Sequence, residues 1–165
     1  MQIKTCCVTG HRDIPADQMD FVKQELEKEI DKAIADGFTR FLSGFAEGAD
    51  QYFAKIVAKK LEGNAALRLE SLIPYRKRCL TLLNDGCTKR LLESCTDIAV
   101  INEEYRPNVY QIRNRHMVLC SDRVIAVYDG RTKGGTVSTI RMAHVQRKEL
   151  REIPVGLHLP PKQGL

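Results

Sequence analysis

The chain has 165 residues, and 26 Lys and Arg against 21 Asp and Glu leave a formal net charge of +5 at pH 7. This length is typical of one domain, which buries roughly 70% of its unfolded surface and needs no disulfide bonds to fold. The mild positive charge favours anionic partners but falls short of the dense basic face of a dedicated DNA-binding protein.

The cysteine pattern and the hydropathy limit the class of protein further. The six cysteines form no Cys-x-x-Cys pair, so we expect reduced thiols and no metal site. No targeting segment precedes the first apolar run, and no run reaches the ~20 residues that span a bilayer. We therefore expect a cytoplasmic protein with no membrane partner and no cofactor.

Short apolar runs alternate with helical patterns along the whole chain. The runs predict strands at Ile3–Val8, Phe38–Leu42, Leu67–Ile73, Ile98–Ile101, Val124–Tyr128 and Ile153–Leu157. The fourth and fifth runs are wholly apolar, which is typical of strands covered by helices on both faces. The pattern predicts an α/β fold, a single Rossmann-like, doubly wound and mostly parallel sheet with helices on both faces, over residues 1–159. Residues 160–165 are expected to be a frayed tail.

Helix signals fill the spaces between these runs. The first helix lies between Pro15 and Gly37, which are typical start and stop residues. Two short helices are expected before and after a break at residues 84–86, and a last helix is expected from about Gly135 to Leu150.

For two further helices, the sequence also predicts the roles of individual residues. Asp50 is expected to cap the second helix with its side chain. Pro107 is expected to begin a helix that directs Ile112 and Leu119 into the core.

The first of three glycine-bearing loops follows the first strand as Thr9-Gly10-His11-Arg12. These residues offer backbone amides, a hydroxyl group and a guanidinium to a phosphate or a ribose. The loop lacks the full G-x-G-x-x-G spacing of a dinucleotide fingerprint, which disfavours ordinary NAD binding.

The second loop runs from the end of the second strand to the next helix. Its candidate ligand-binding residues are Ser43, Gly44, Gly48 and Asp50. The Asp50 carboxylate would repel a phosphate, so we expect it to face a ribose hydroxyl or the backbone.

The third loop takes an apolar strand through a glycine-rich turn into a helix. Its candidate residues are Asp129, Gly130, Gly134, Gly135 and Thr136. The first amides of a helix and the positive end of its dipole favour an anion, and no acidic residue occupies this first helical turn. The three loops are predicted to converge on one nucleotide at the carboxyl ends of the strands.

A fourth segment lies on the helix before the fifth strand. Arg113 can bind a phosphate or carboxylate in a bidentate manner, and Asn114 can bind a base or ribose edge. The alternative interpretation is that these side chains form a charged, solvent-exposed helical face. For Arg115 this alternative stays open. The basic residues at 76–78 and 89–90 are interpreted as such a solvated face.

Taken together, these motifs resemble the SLOG superfamily, a Rossmann-like group that includes DNA-processing protein A and the Lonely-guy phosphoribohydrolases. The resemblance is nearest to its YpsA-like branch, a family of unknown function. The matching segments are 9–12, 43–50, Arg113-Asn114 before Ser121-Asp122, and 134–136. The resemblance implies a Rossmann-like fold, binding of nucleotides or nucleotide-derived small molecules, and a tendency to self-associate.

The resemblance leaves catalysis open. Lonely-guy hydrolases cleave the N-glycosidic bond of a nucleoside monophosphate with an arginine and with a glutamate just after a P-G-G-x-G-T loop. In this chain Val-Ser-Thr follows Gly135-Thr136, so the catalytic glutamate is missing from its expected place. A substitute would have to come from another loop, with Glu47, Glu103 and Glu104 as candidates.

Three functions therefore remain in view. The first is a sensor or regulator that binds a nucleotide or nucleotide-derived phosphate ligand, such as an ADP-ribose-like molecule. The second is an N-glycosidic hydrolase in which Arg12 or Arg113 stabilises charge on the phosphate. The third is single-stranded DNA binding, which the absence of Trp and the 6% aromatic content disfavour, because single strands are usually held by stacking. The expected partners are a nucleotide-like small molecule and further copies of the chain, rather than nucleic acid.

Overall fold

The computed structural model describes residues 2–156. The expected tail and the end of the predicted sixth strand, at Leu157, lie outside the described residues. The elements, in chain order, are β1 (Lys4–Gly10), a 3-10 turn (Ala16–Gln18), α1 (Met19–Ala35), β2 (Phe38–Ser43), α2 (Ala49–Gly63), β3 (Arg68–Tyr75), α3 (Arg76–Asn84), α4 (Gly86–Glu93), β4 (Asp97–Asn102), α5 (Val109–Leu119), β5 (Arg123–Tyr128), α6 (Gly135–Val145) and β6 (Glu149–Pro154).

The six strands form one sheet in the order β4-β3-β2-β1-β5-β6, and each neighbouring pair is parallel. The chain moves outward from β1 to β4 in one direction and then returns to the other side of β1 with β5. The strand order therefore reverses between β1 and β5, which is where open α/β sheets bind ligands. The predicted Rossmann-like α/β sheet is confirmed.

Hydrophobic clusters cover both faces of the sheet. Consecutive β1 residues point to opposite faces, so Cys6 joins the cluster that includes Phe53 of α2, and Cys7 joins the cluster that includes Met117 of α5. Both thiols are fully buried, and the cysteines of the chain are free. Burial raises the pKa of Cys7 to about 12, so this thiol is an unreactive part of the core.

The last helix ends earlier than predicted, and the sixth strand begins earlier. Helix α6 ends at Val145 instead of continuing to Leu150, and β6 begins at Glu149 instead of Ile153. Arg147 takes a positive φ of 55° and reverses the chain. Glu149 pairs with Arg123 of β5 in the sheet register, and its carboxylate accepts a hydrogen bond from the Arg123 Nε at 2.9 Å. A charged cross-strand pair therefore fixes β6, and the apolar pattern does not reveal it.

Strand β4 is not covered on both faces as its apolar sequence predicted. It forms the edge of the sheet, and Ile98 is 41% exposed. The position of a strand in a sheet depends on the order of all the strands, which one apolar run does not encode.

The buried face of α5 also differs from the prediction. The helix begins at Val109, two residues after Pro107, and Ile112 and Leu119 are 38% and 47% exposed. The buried stripe runs instead through Val109, Arg113 and Met117 at four-residue spacing. An arginine in the middle of this stripe interrupts its hydrophobic signal, and the remaining apolar residues suggested the wrong face.

Two glycines allow α2 to lie directly against the loop after β1. A side chain at Gly10 would overlap the Cβ atom of Ala49, the first residue of α2. Gly48 has a φ of 82°, and a Cβ atom there would lie 2.6 Å from the carbonyl oxygen of His11. Both glycines therefore serve close packing between the first and second loops.

We predict that Gly10→Ala lowers the free energy of unfolding by about 1–3 kcal/mol, because the added methyl group overpacks the contact with Ala49. The matched control is Gly63→Ala at the end of α2, where nothing lies within 4 Å of a new Cβ atom. Urea denaturation of both variants measures the difference. Equal stability of the two variants would show that β1 and α2 are not in tight contact.

Candidate functional site

A polar cleft of about 440 Å³ opens at the carboxyl edge of the sheet, beside the switch between β1 and β5. Its lining residues are Val8, Thr9, Gly10, His11, Arg12, Asp13, Ala46, Asp50, Tyr110, Arg113, Asn114, Arg131, Gly134, Gly135 and Thr136. Residues from all three predicted loops and from α5 thus meet in one cavity. That they bind a ligand stays a prediction.

The remaining predicted site residues are not among the lining residues. They are Ser43, Gly44, Gly48, Asp129 and Gly130. The Ser43 hydroxyl donates to the Asp50 carbonyl at 2.8 Å and accepts from the Phe45 amide at 3.2 Å. Gly130 has a φ of 87° and is exposed. These residues lie in the loops that surround the cleft, but they do not line it.

The side chain of Arg113 is buried and not on a solvent-exposed helical face, with a fractional exposure of 4%. Its Nη1 donates to the carbonyl oxygens of Gly44 at 2.7 Å and Leu72 at 3.3 Å, and its Nε donates to Asn114 Oδ1 at 2.8 Å. A Cβ atom on Gly44 would lie 2.5 Å from Nη1. The absence of a side chain at Gly44 therefore makes room for the guanidinium, whose pKa is lowered by burial.

Asp50 lies in the first turn of α2 but does not cap the helix. The N-cap residue is Gly48, and no side chain caps this end of α2. The Asp50 Oδ2 instead accepts from the Ala46 amide at 3.3 Å. Burial raises the pKa of Asp50 to about 6, although the positive charge of Arg113 opposes that increase. The cleft thus contains a carboxylate that titrates just below neutral pH.

The N-terminus of α6 forms the opposite wall of the cleft. Gly134 has a φ of 123°, the helix has no capping side chain, and no acidic residue occupies its first turn. A Cβ atom on Gly135 would meet only Asn114 Nδ2, at 3.8 Å. The backbone amides at this end of α6 are therefore approachable from the cleft, beside the amide group of Asn114.

A charged cluster that the sequence did not predict lies beside His11. The Asp129 carboxylate accepts from Arg131 Nε at 2.9 Å and from the Arg131 amide at 3.0 Å, which lowers the pKa of Asp129 to about 2. Arg131 also pairs with Asp13 at 3.1 Å, and His11 Nε2 accepts from the Asp129 amide at 3.1 Å. An Asp-Gly-Arg turn hints at the local contact, but no local signal places it against the first loop.

Tyr110 also lines the cleft and was not predicted from the sequence. Its ring lies 5.3 Å from the Arg12 guanidinium carbon and 5.8 Å from that of Arg113. The exposed Arg12 side chain is thereby positioned at the rim of the cleft.

The carboxylates of the cleft are aspartates. The three glutamates considered as substitute catalytic groups are exposed and do not line it: Glu47, Glu103 and Glu104. Glu103 pairs instead with Arg76 at 2.9 Å. Asp13 and Asp50 are the acidic lining residues, so a carboxyl group that exchanges a proton with a bound ligand would be one of these two.

Within residues 2–156, no three or more His, Cys, Asp or Glu side chains are grouped so that they could hold a metal ion. Over the same residues, every helix is too short or too polar to cross a membrane.

The fold and the cleft define a Rossmann-like α/β protein with a polar cavity at its topological switch point. Residues 6–156 match the sequence model of the YpsA family, described as the YspA SLOG family. The chain therefore belongs to this family of the SLOG superfamily. No curated protein matches the sequence significantly.

Solved structures share the fold at low sequence identity. DNA processing protein A from Streptococcus pneumoniae aligns with a TM-score of 0.67 at 16% identity, over 94% of this chain and 52% of that protein. The Helicobacter pylori protein aligns at 0.66 and 20% identity, over 93% and 66%. The molybdenum cofactor carrier protein of Chlamydomonas reinhardtii aligns at 0.55 and 18% identity, over 92% and 76%. This chain thus spans about half to two thirds of the DNA processing proteins, and the likenesses show the fold alone.

We predict a pH-dependent effect of Asp50→Asn on stability. Because the pKa of Asp50 is raised from 3.8 to about 6 in the folded state, the folded protein binds more protons than the unfolded chain between these values. The parent protein therefore loses stability, relative to the variant, as the pH rises from about 4 to about 6, by roughly 3 kcal/mol in total.

Urea denaturation at several pH values measures this difference. The control is Asp85→Asn on the surface, where hydrogen bonds from Thr88 lower the pKa and the parent therefore does not lose stability relative to the variant over this range. A difference between parent and Asp50→Asn that does not change with pH would contradict the prediction.

Proposed function

We propose that the protein binds a nucleotide or nucleotide-derived phosphate ligand in this cleft, and that occupancy has a sensory or regulatory role. The observation that carries the proposal is the uncapped N-terminus of α6, which faces the cleft at the strand-order reversal and has no acidic residue in its first turn. Helix N-termini at this position bind phosphate groups through backbone amides and the helix dipole.

The other walls suit the remaining parts of a nucleotide. The Asn114 amide lies beside the anion position and can donate a hydrogen bond to a phosphate oxygen, and the Arg12 guanidinium adds positive charge to the lining of the same cleft. The N-terminus of α2 also reaches the cleft, but the Asp50 carboxylate there repels a second phosphate and accepts hydrogen bonds from ribose hydroxyls. A volume of about 440 Å³ lies in the range of small-molecule sites. The arrangement favours a ligand with a phosphate at one side and a ribose at the other, with ADP-ribose-like molecules as one class.

Gly135→Asp tests the anion position. The new carboxylate has room, since its Cβ atom would meet only Asn114 Nδ2 at 3.8 Å, and it would repel a phosphate at the helix N-terminus. We predict that the affinity for AMP, measured by isothermal titration calorimetry, falls roughly tenfold or more while the fold is retained.

The matched control is Gly86→Asp, which adds the same charge at the N-terminus of α4, where nothing lies within 4 Å. This variant should bind AMP like the parent. Undiminished binding by Gly135→Asp would exclude the end of α6 as the phosphate position.

Self-association is part of the same proposal, because the family resemblance implies it. Occupancy of the cleft would then change the association of copies of the chain. Sedimentation of the protein with and without AMP tests this part independently of where the ligand binds.

Hydrolysis of an N-glycosidic bond is a second candidate, favoured by the buried Asp50 carboxylate in the cleft. A group that titrates near pH 6 is suited to proton transfer at neutral pH. Chromatography of protein incubated with nucleoside monophosphates would detect a released base. Release that persists in Asp50→Asn would exclude this residue as the proton donor.

Single-stranded DNA binding is a third candidate, supported by the fold shared with DNA processing protein A, whose Helicobacter pylori form is described with a single-stranded DNA binding mode. The comparisons therefore do not support the expectation that nucleic acid is no partner. Oligonucleotide affinity that falls steeply with salt concentration would favour this function over a small nucleotide.

A further inference from the structure

Three tyrosines from separate parts of the chain form a cluster beside the cleft. Tyr75 ends β3, Tyr105 lies in the loop after β4, and Tyr110 lies in the first turn of α5. The Tyr75 ring contacts the other two edge to face, with ring centroids 5.3 Å from Tyr105 and 6.2 Å from Tyr110. Because Tyr110 also lines the cleft, the tyrosine cluster is continuous with the wall of the proposed nucleotide site.

The cluster is not part of the hydrophobic core. Tyr105 is 61% exposed, and neither Tyr75 nor Tyr110 is fully buried. The exposed part of the Tyr105 ring therefore remains available to a stacking partner.

The cations beside the cluster favour an aromatic ligand attached to an anion. The Arg12 and Arg113 guanidinium carbons lie 5.3 Å and 5.8 Å from the Tyr110 centroid. The Arg113 guanidinium is buried and already bonded to carbonyl oxygens, so Arg12 is the exposed cation of this pair. A nucleotide combines a planar base, which can stack on such a ring, with negative charge, which the Arg12 guanidinium attracts.

The cluster also weakens the argument that the low aromatic content disfavours a stacking ligand. The chain has five tyrosines and no Trp, yet three of the five tyrosines meet at this one position. A composition average cannot report such a local concentration, so the low average does not argue against a stacking ligand here.

We propose that Tyr75, Tyr105 and Tyr110 form a nucleobase subsite, on which a base stacks while its phosphate binds at the N-terminus of α6. This inference rests on the proposed function and names the part of the ligand that the tyrosines recognise. The base belongs either to a free nucleotide or to a single-stranded oligonucleotide, since both present the same aromatic face.

The test compares a ligand that has a base with one that lacks it. AMP and ribose 5-phosphate are titrated into the parent protein, Tyr105→Ala, Tyr110→Ala and the matched variants Tyr105→Phe and Tyr110→Phe. Both alanine variants should bind AMP at least roughly fivefold more weakly, and Tyr105→Ala, which leaves the contact between Tyr110 and Arg12 in place, should bind ribose 5-phosphate like the parent. The phenylalanine variants should keep the parent affinity for AMP, because the ring is retained.

A 5′-phosphorylated oligothymidylate identifies the source of the base. If the alanine variants lose affinity for AMP, the subsite binds the base of a free nucleotide. If they lose affinity only for the oligonucleotide, it binds the base of a single strand. Both results support the subsite. Parent-like binding of AMP and oligonucleotide by both alanine variants would overturn it while leaving the phosphate position intact. Failure of the parent to bind any of the three probes would overturn the proposed function as well.

Discussion

The buried guanidinium of Arg113 is the contact on which the shape of the cleft depends. Burying a charge is costly unless hydrogen bonds and opposite charges compensate for it. Here the carbonyl oxygens of Gly44 and Leu72 accept hydrogen bonds, and the Asp50 carboxylate supplies an opposite charge nearby. One side chain on α5 thereby joins the loop after β2 to strand β3. The same guanidinium favours the ionised form of Asp50, against the effect of burial.

The glycines of the three loops have two different physical roles. At Gly10, Gly44 and Gly48 a side chain would collide with Ala49, Arg113 or the His11 carbonyl, so these glycines permit close packing. A Cβ atom at Gly134 would meet nothing within 4 Å and one at Gly135 would meet only Asn114 Nδ2 at 3.8 Å, so these glycines leave the backbone accessible. The sequence places all of them after strands and cannot separate these roles, because the distinction depends on which segment lies opposite.

The features predicted from sequence were those with a local signature. The alternation of apolar runs with helical patterns identified the fold. The glycine-rich segments after the strands identified the loops that line the cleft. Long-range pairs were not predicted: Arg131 meets Asp13 across 118 positions, and no periodicity marks such a pair. The buried face of α5 was misassigned for a related reason, since the residue at its centre is charged and its partners lie on β3 and on the loop after β2.

The charges of the cleft restrict the choice of ligand more than the volume of the cleft does. Two helix N-termini reach the cavity, but Asp50 occupies the first turn of α2 and α6 has no acidic residue there. Only the α6 end is therefore suited to a phosphate, since a second anion beside Asp50 would be repelled at neutral pH. The Asp50 carboxylate is chemically able to accept hydrogen bonds from ligand hydroxyl groups, and the tyrosine cluster presents aromatic surface at the same edge of the sheet. In the proposed function, an anion position, a hydroxyl acceptor and a stacking surface would receive the phosphate, ribose and base of one nucleotide, whereas a ligand with phosphates at both helix ends would not suit this charge distribution.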